Sequence, residues 1–434
     1  MYLIYYILLF LNLALLYCFL RLELKRFSPV AVFWFVVISA FLLPALFDPF
    51  VGYVKAHPYS VSYELDILTL VESQAFILLF AFCIAGVYFC LFRAEQINSF
   101  SNELGGTQKF LSSQGLYWIF GFLLLSFYSF FEAYRKFGSL VFSEFGFVDR
   151  REGLSFVAGF LLSYNLIICA GSLFWMVLVK RYALACVVFF IYMFVYFVMG
   201  GSRQPIIILL LPFLFYFLSN ARHGFYFAVI ATFSFGVFSK ILEFFIYLRN
   251  LPGLEARLDA VYRFYDFIFF YSERLGSNES DLRFAFYYFV KEFNNISGFG
   301  DGVYFMRTLF FWLPSFLDFF HLKPPDFEYV MFSAFMPGFE GTMHPTFFGS
   351  LYADYGWFVV PWILGFSLLL IFTNPILRLY KGVGYFAVWG GFAYLYMMMA
   401  RGAIYGPFVV LFFGLLFVGL SQTTFSLFFK RVKG

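Results

Sequence analysis

Two isolated arginines stand at the ends of strongly apolar stretches of this sequence. Arg203 lies in Gly-Gly-Ser-Arg-Gln-Pro at 200–205, and Arg401 lies in Met-Ala-Arg-Gly at 399–402. A charged side chain at the centre of a bilayer costs ~2.5–3.5 kcal/mol, so membrane proteins place such groups where something uses or solvates them. A guanidinium presents a rigid fork of donors that matches phosphate oxygens and stays charged at physiological pH. Both arginines are therefore candidates for binding an anionic ligand.

Each of these arginines also has a simpler interpretation. Arg203 can extend towards the lipid headgroups as an interfacial residue. Arg401 lies in a short turn between two apolar stretches, where it can pair with an acidic side chain such as Glu72 or Glu243. The two residues taken alone leave anion binding and these structural roles open.

A polar segment further along the chain contains candidates for proton transfer. Glu340 and His344 lie in Pro-Gly-Phe-Glu-Gly-Thr-Met-His-Pro-Thr at 337–346, and His344 is one of only four histidines. Histidine can accept a hydroxyl proton near neutral pH, or donate a hydrogen bond to a phosphate when it is charged. The alternative is a structural histidine at the point where the chain returns to apolar sequence.

Arg307 and Lys323 form a further pair of cations. They lie on either side of Trp-Leu-Pro-Ser at 312–315. Alone, they are typical of a solvated loop face, and they suggest ligand binding only together with the other cations.

Motifs for cofactor chemistry are missing from the sequence. It has no Asp-x-Asp pair, no His/Cys metal spacing, no phosphate-binding glycine loop and no nucleophile elbow. We therefore predict neither a metal ion nor a nucleotide cofactor. Nucleic-acid binding is not expected either, because no basic helix with interleaved aromatic residues is present.

Composition identifies the elements that must position these residues. Of the 434 residues, 63% are hydrophobic and only 12% are charged, which predicts an all-α polytopic membrane protein. Helices of roughly 20 residues cross a bilayer. We predict eleven spans, at roughly 1–20, 30–47, 69–92, 115–134, 154–179, 182–199, 205–219, 225–247, 357–373, 383–400 and 407–428.

Lysine and arginine in the connections predict the orientation of these spans. Every second connection is basic, and the chain ends in Lys430, Arg431 and Lys433, so these regions are assigned to the cytoplasm. The N-terminus is then external, as are the connections 48–68, 135–153, 200–204, 249–356 and 401–406. The connection 135–153 opposes the rule, since it holds four basic residues, which three acidic residues within it and Glu132 just before it partly offset.

The long stretch 249–356 divides the chain into three regions. Transmembrane helices occupy 1–248, a large external loop occupies 249–356, and further transmembrane helices with a basic tail occupy 357–434. The spacing of apolar residues predicts amphipathic helices over 254–274 and 282–293. Polar groups gather at the external ends of the spans, and Asn165 is the one mid-span polar residue that we predict. This distribution favours chemistry at the outer interface over transport through the membrane.

Taken in order, four of these motifs resemble a known family. They are Gly-Gly-Ser-Arg-Gln-Pro-Ile-Ile-Ile from position 200, Arg307 followed by Trp-Leu-Pro-Ser and Lys-Pro, His-Pro-Thr-x-x-Gly-Ser at 344–350, and Ala-Arg-Gly at 400–402. The sequence between roughly 190 and 410 resembles the Wzy-type oligosaccharide repeat-unit polymerases, which include the O-antigen and enterobacterial common antigen polymerases.

The resemblance implies a glycosyltransferase with a fold of the membrane-embedded C type. Such an enzyme would join repeat units carried on undecaprenyl pyrophosphate at the periplasmic face of the bacterial inner membrane, without a cofactor. The bilayer, a chain-length regulator and a flippase are the other implied partners. Arg203 and Arg401 would bind the donor pyrophosphate with help from Arg307 and Lys323, and His344 or Glu340 would be the base.

Two other functions remain open from the sequence. An O-antigen ligase uses the same donor but transfers the glycan to lipid A core, and the Lys-Pro segment favours the polymerase. A flippase or other transporter of lipid-linked glycans predicts charged residues along a path through both leaflets, and the sequence lacks these in its cytoplasmic half.

Overall fold

The protein is described from a computed structural model. The structure describes residues 1–51, 53–56, 61–94, 169–199, 204–220, 254–264, 278–310, 312–313, 317–338, 343–380 and 383–433, with isolated positions among 121–136 and 244–251. The predicted span 225–247 and most of the spans 115–134 and 154–179 lie outside these residues.

Helices dominate the described residues. They are α1 (Tyr2–Lys25), α2 (Val30–Val51), α3 (Ile67–Ala94), α4 (Cys169–Leu178), α5 (Tyr182–Met199), α6 (Gln204–Asn220), α7 (Leu254–Tyr262), α8 (Asn278–Glu292), α9 (Val303–Leu309), α10 (Phe327–Phe335), α11 (Thr346–Tyr355), α12 (Val360–Arg378), α13 (Val383–Ala400) and α14 (Tyr405–Lys433). A short antiparallel pair, β1 (Tyr53–Ala56) and β2 (Val61–Glu64), lies between α2 and α3.

Four of these helices are long and apolar enough to cross a membrane: α1, α2, most of α3, and α12. The 24 residues of α1 extend about 36 Å, which exceeds the hydrocarbon thickness of a bilayer. Helix α2 contains a π-helical stretch at Val37–Leu42, directly before Pro44. Proline cannot donate the regular helical hydrogen bond, and the π-helical stretch adapts the helix to it. The prediction of an α-helical membrane protein is confirmed; the count of eleven spans and the C-type fold stay predictions.

The chain divides into two compact units, and unit 1 comprises Met1–Asn98, Gly276–Ile376 and Phe392–Phe412. Its core is aromatic. The ring of Phe33 lies 4.9 Å from that of Phe366 and 5.0 Å from that of Phe347, and Phe80 lies 5.6 Å from Phe366, centroid to centroid. These contacts join α2, α3 and α12 to the loop helix α11, and the edge-to-face pair of Phe33 and Phe347 adds ~0.5–1.5 kcal/mol beyond burial.

A buried ion pair fastens the long loop to the end of α2. Arg283 in α8 donates from Nε and Nη2 to the two carboxylate oxygens of Asp48, at 2.8 and 2.9 Å, and the Tyr287 hydroxyl donates to Asp48 Oδ2 at 2.6 Å. All three side chains are buried. The region 249–356 therefore lies, at α8, against the end of α2 where the connection 48–68 begins.

Unit 2 comprises Ser99–Leu275, Leu377–Gly391 and Phe413–Gly434. Gly171 in α4 approaches α13 so closely that a Cβ atom there would lie 2.3 Å from the Ala387 nitrogen. Phe174, one turn further on, packs against Phe213 and Phe386 at 5.1 and 5.0 Å. Glycine at 171 is required because any side chain would separate the two helices.

The prediction that Asn165 is the one mid-span polar residue is wrong. Asn12 and Gln74 are fully buried in α1 and α3, and Asn12 Nδ2 donates to the Gln74 side chain at 3.0 Å and to its carbonyl at 2.9 Å. A buried amide needs such partners, because an unmade hydrogen bond there is costly. Asn165 itself lies outside the described residues.

Candidate functional site

The turn after α13 and the start of α11 meet in unit 1. The backbone nitrogen of Thr346 donates to the Arg401 carbonyl at 3.1 Å and to the His344 carbonyl at 2.9 Å. The Ser350 hydroxyl donates to the Gly402 carbonyl at 3.1 Å. Two of the motifs singled out in the sequence, at 344–350 and 400–402, are thus hydrogen-bonded to each other.

The backbone at this meeting point adopts unusual conformations. Thr346 has φ +65° although it is β-branched, and it is buried. Gly402 has φ +102°, and a Cβ atom there would lie 2.7 Å from the Thr346 carbonyl oxygen. Left-handed geometry in a β-branched residue costs energy, and such residues concentrate at functional sites. The contact requires glycine at 402 and constrains the backbone directly after His344.

Tyr304, in the loop helix α9, joins this turn to α10. Its buried hydroxyl donates to the Gly402 carbonyl at 2.6 Å and accepts from the Ile404 nitrogen at 3.0 Å. Glu328 Oε1 lies 3.2 Å from the same hydroxyl. A phenol has one proton, which Gly402 receives, so Glu328 Oε1 is a close polar neighbour of this hydroxyl and not the main acceptor of its proton.

Asp354 holds α9 in place. Its carboxylate accepts from the backbone nitrogens of Tyr304 and Phe305, at 2.9 and 2.7 Å, and from the Trp362 indole at 2.9 Å. The first two bonds cap the N-terminus of α9, where donors have no partner within the helix. Burial raises the pKa of Asp354 to about 6. The residue therefore positions the helix that carries Tyr304 and Arg307.

Glu328 and His344 form a partly buried titratable pair. His344 Nδ1 lies 3.4 Å from Glu328 Oε2. Burial, with the nearby charge of Arg401, lowers the pKa of His344 to about 4. Burial, with the negative charge of Asp326, raises the pKa of Glu328 to about 8. Near neutral pH the imidazole is therefore unprotonated, the carboxyl is protonated, and the two are neutral partners and not an ion pair.

Arg307 and Lys323 converge on one aromatic ring. The Arg307 guanidinium carbon and Lys323 Nζ each lie 4.5 Å from the centroid of the Tyr405 ring. Arg307 also donates to the Pro324 carbonyl and forms an ion pair with Asp326 at 3.4 Å. Burial and the charge of Arg307 lower the pKa of Lys323. Two cations so close together favour an anion beside them, and Asp318 and Asp326 offset part of their charge.

The site residues predicted from the sequence have different outcomes. In the described part of unit 1, Arg307 and Lys323 lie together at the Tyr405 ring. His344 and the Arg401 backbone also lie together, and the hydrogen bond from Tyr304 to Gly402 connects them to the helix that carries Arg307. Arg203 and Glu340 lie outside the described residues, so their positions stay predictions.

Sequence reasoning missed the acidic and phenolic residues of this site. They are Tyr304, Asp326, Glu328 and Asp354. We paired His344 with Glu340 because they are close in sequence, whereas the structure places Glu328 beside it. One local signal was available: Asp326, just before an apolar helical run, has the side chain of a helix N-cap, and its carboxylate accepts from the Glu328 nitrogen at 3.1 Å.

Among the described residues, no group of three or more His, Cys, Asp and Glu side chains is arranged to hold a metal ion. Comparison of the chain with known protein families, with curated proteins and with solved structures found no match.

Proposed function

We propose that this protein polymerises oligosaccharide repeat units carried on undecaprenyl pyrophosphate, at the periplasmic face of a bacterial inner membrane. The observation that carries the proposal is the convergence of Arg307, Lys323 and the Arg401 turn beside His344, within unit 1. These residues are far apart in sequence. Cations and a neutral histidine at one place provide the two groups that this transfer needs.

The chemistry proposed for this site is an inverting glycosyl transfer. A hydroxyl oxygen of the acceptor attacks the anomeric carbon of the donor, and the bond from that carbon to the phosphate oxygen breaks. The lipid pyrophosphate leaves with the electron pair, so negative charge grows on its bridging oxygen. Preorganised cations stabilise such charge best in a site with little water. Arg203, Arg401, Arg307 and Lys323 are assigned to this role.

The proton of the acceptor hydroxyl needs a base. His344 suits this role because burial keeps its imidazole unprotonated at neutral pH, and a general base must be unprotonated before the reaction. Glu340 is the second candidate. We expect His344→Ala to lower turnover more than donor binding, and an unchanged rate with purified protein would remove His344 from the mechanism.

The test of function is a glycan gel from cells that carry single substitutions. Arg401→Ala and Arg203→Ala, each shown to be expressed, should leave single repeat units in place of a ladder. Arg263→Ala is the matched control, because this arginine, directly after α7, is exposed and has an i,i+4 pair with Asp259, so its ladder should be normal. Normal ladders in both site variants would reject the assignment.

A purified assay separates the polymerase from its alternatives. Protein in liposomes is given the lipid-linked donor alone, and a polymerase extends the chain. A ligase forms product only when lipid A core is added, and a flippase moves donor across the bilayer without forming a covalent product. Chain extension with donor alone is the expected result.

A further inference from the structure

We propose that Glu328 is a positioning residue for His344, and that loss of the Glu328 proton moves the ring proton of the histidine from Nε2 to Nδ1. The inference deepens the proposed function, on which its catalytic part rests. The pair itself is a property of the folded protein and can be measured without substrate.

The geometry at Nδ1 leads to this inference. Nδ1 of His344 is enclosed by protein and has no hydrogen bond of ordinary geometry among the described residues. Glu328 Oε2 lies 3.4 Å from it, and a small rotation of the carboxyl brings the two atoms to hydrogen-bond distance. The His344 side chain as a whole keeps 25% of its surface exposed. Because Nδ1 is enclosed, this exposed surface belongs to the other atoms of the side chain.

The two protonation states of Glu328 require opposite hydrogen-bonding roles of His344 Nδ1, as acceptor or as donor. A protonated carboxyl can donate to Nδ1, which fixes the ring proton on Nε2. An ionised carboxyl can only accept, so it favours the tautomer with the proton on Nδ1. In that second tautomer Nε2 has a free lone pair. One proton is released to solvent, and the ring proton changes nitrogen.

The surroundings of Glu328 favour the protonated state at neutral pH. Asp326, on the same segment, raises the pKa of Glu328 together with burial, to about 8, and Arg307 and Tyr304 of α9 oppose this shift. From the neighbouring segments, His344 and Arg401 are the other groups involved, and Arg401 acts on the histidine. The balance places the change of tautomer above neutral pH.

The orientation of Glu328 is fixed from its other oxygen. Oε1 contacts the Tyr304 hydroxyl, which the Gly402 carbonyl and the Ile404 nitrogen already orient. The Glu328 carbonyl also accepts from the Met343 nitrogen at 3.2 Å, directly before His344. The side chain of Glu328 is therefore oriented by Tyr304, and its backbone is bonded to the residue before His344. Both partners of the contact are held in place, as a positioning residue requires.

Solid-state ¹⁵N NMR of liposomes containing histidine-labelled protein tests the inference. The His344 signal is assigned by its loss in His344→Asn, and spectra are taken from about pH 6 to about pH 10. The wild type should change from the Nε2–H to the Nδ1–H tautomer in this range. Glu328→Gln should keep one tautomer throughout. Glu292→Gln, whose carboxylate bonds the exposed Asn295, is the matched control and should behave as wild type.

Two results would overturn the inference. One is a single His344 tautomer across the whole pH range in wild type, which decides the matter even if Glu328→Gln does not fold. The other is an unchanged switch in Glu328→Gln. The spectra need no substrate. A change of His344 tautomer in a protein without transfer activity would therefore contradict the proposed function and leave this inference intact.

The rate of transfer provides a second readout. In wild type the rate should rise with pH through the change of tautomer, since Nε2 then accepts the acceptor's proton. In Glu328→Gln this rise should be absent, and the rate on the alkaline side should be lower by about 10²- to 10⁴-fold, the usual contribution of a general base. A purely structural role would lower the rate equally at every pH, which would contradict the inference.

Discussion

Removal of the Tyr304 hydroxyl perturbs the contact that joins α9 to the turn at 401–404. In Tyr304→Phe the Gly402 carbonyl keeps a donor, because the Ser350 hydroxyl also bonds it at 3.1 Å. The Ile404 nitrogen loses its described acceptor, since it donates to Tyr304 at 3.0 Å. This nitrogen lies just before α14, where no helical carbonyl is available to it. The substitution therefore leaves one buried donor without a partner.

The expected cost follows from that single donor. An unsatisfied buried donor costs about 1–3 kcal/mol. Since about 1.4 kcal/mol is a factor of ten in an equilibrium constant, local opening of the turn should become about 5- to 140-fold more frequent. The effect should concentrate on the segment around Ile404 and spare the Asp48–Arg283 contact, which has no hydrogen bond to Tyr304 among the described residues.

Hydrogen exchange with mass-spectrometric detection measures this opening in the peptide that covers 399–408. Tyr288→Phe is the control, because it makes the same chemical change in α8, where the hydroxyl donates a longer bond, at 3.3 Å to the Ala334 carbonyl. We expect faster exchange at 399–408 in Tyr304→Phe and no change there in the control. Equal exchange in both variants would refute the role given to Tyr304.

Three further substitutions test other parts of the structure. Arg283→Ala leaves the buried Asp48 without its cationic partner, although Tyr287 still donates to it, and should lower stability by ~3–5 kcal/mol. Lys291→Ala on the same helix breaks a half-exposed pair at 3.9 Å and should cost ~1 kcal/mol or less; similar melting temperatures in the two variants would contradict this. Gly402→Ala should destabilise the protein by at least about 1 kcal/mol more than Gly338→Ala, because both glycines have positive φ but only Gly402 faces a close backbone oxygen; equal losses would exclude the close contact. The raised pKa of Glu328 means that its contribution to stability is complete below about pH 4.5 and is lost as the pH rises through about 8. Thermal stability should therefore fall over this pH range in wild type and fall less in Glu328→Gln. Parallel pH profiles of the two proteins would contradict the raised pKa.

The elements of the fold were largely accessible from the sequence. Long apolar runs predicted α1, α3, α12 and α13, because burial in lipid demands apolar residues over the length of a helix. The loop helices α7 and α8 were visible from their amphipathic spacing. These signals are local in sequence, so they can be recognised without knowledge of the tertiary structure.

The partners within the site were not accessible in the same way. The contact between Glu328 and His344 depends on how α10 and the strained turn at Pro345–Thr346 pack, and no local spacing encodes that. The same holds for Tyr304, whose helix is placed by Asp354 some fifty positions later. The sequence pattern alone does not distinguish Tyr304 from the other tyrosines of the chain, which has 32 in all.

The central claim is that the cations near the Tyr405 ring and the Arg401 turn bind a lipid pyrophosphate, and direct binding tests it. Affinity for a prenyl pyrophosphate and for the matching monophosphate is measured with purified wild type, Arg307→Ala, Arg401→Ala and Arg263→Ala. Charge-assisted hydrogen bonds contribute about 1.5–3 kcal/mol, so each site variant should lose about 10- to 140-fold in pyrophosphate affinity while Arg263→Ala binds as wild type. Equal affinity in all four proteins, or no preference for pyrophosphate over monophosphate, would contradict the account.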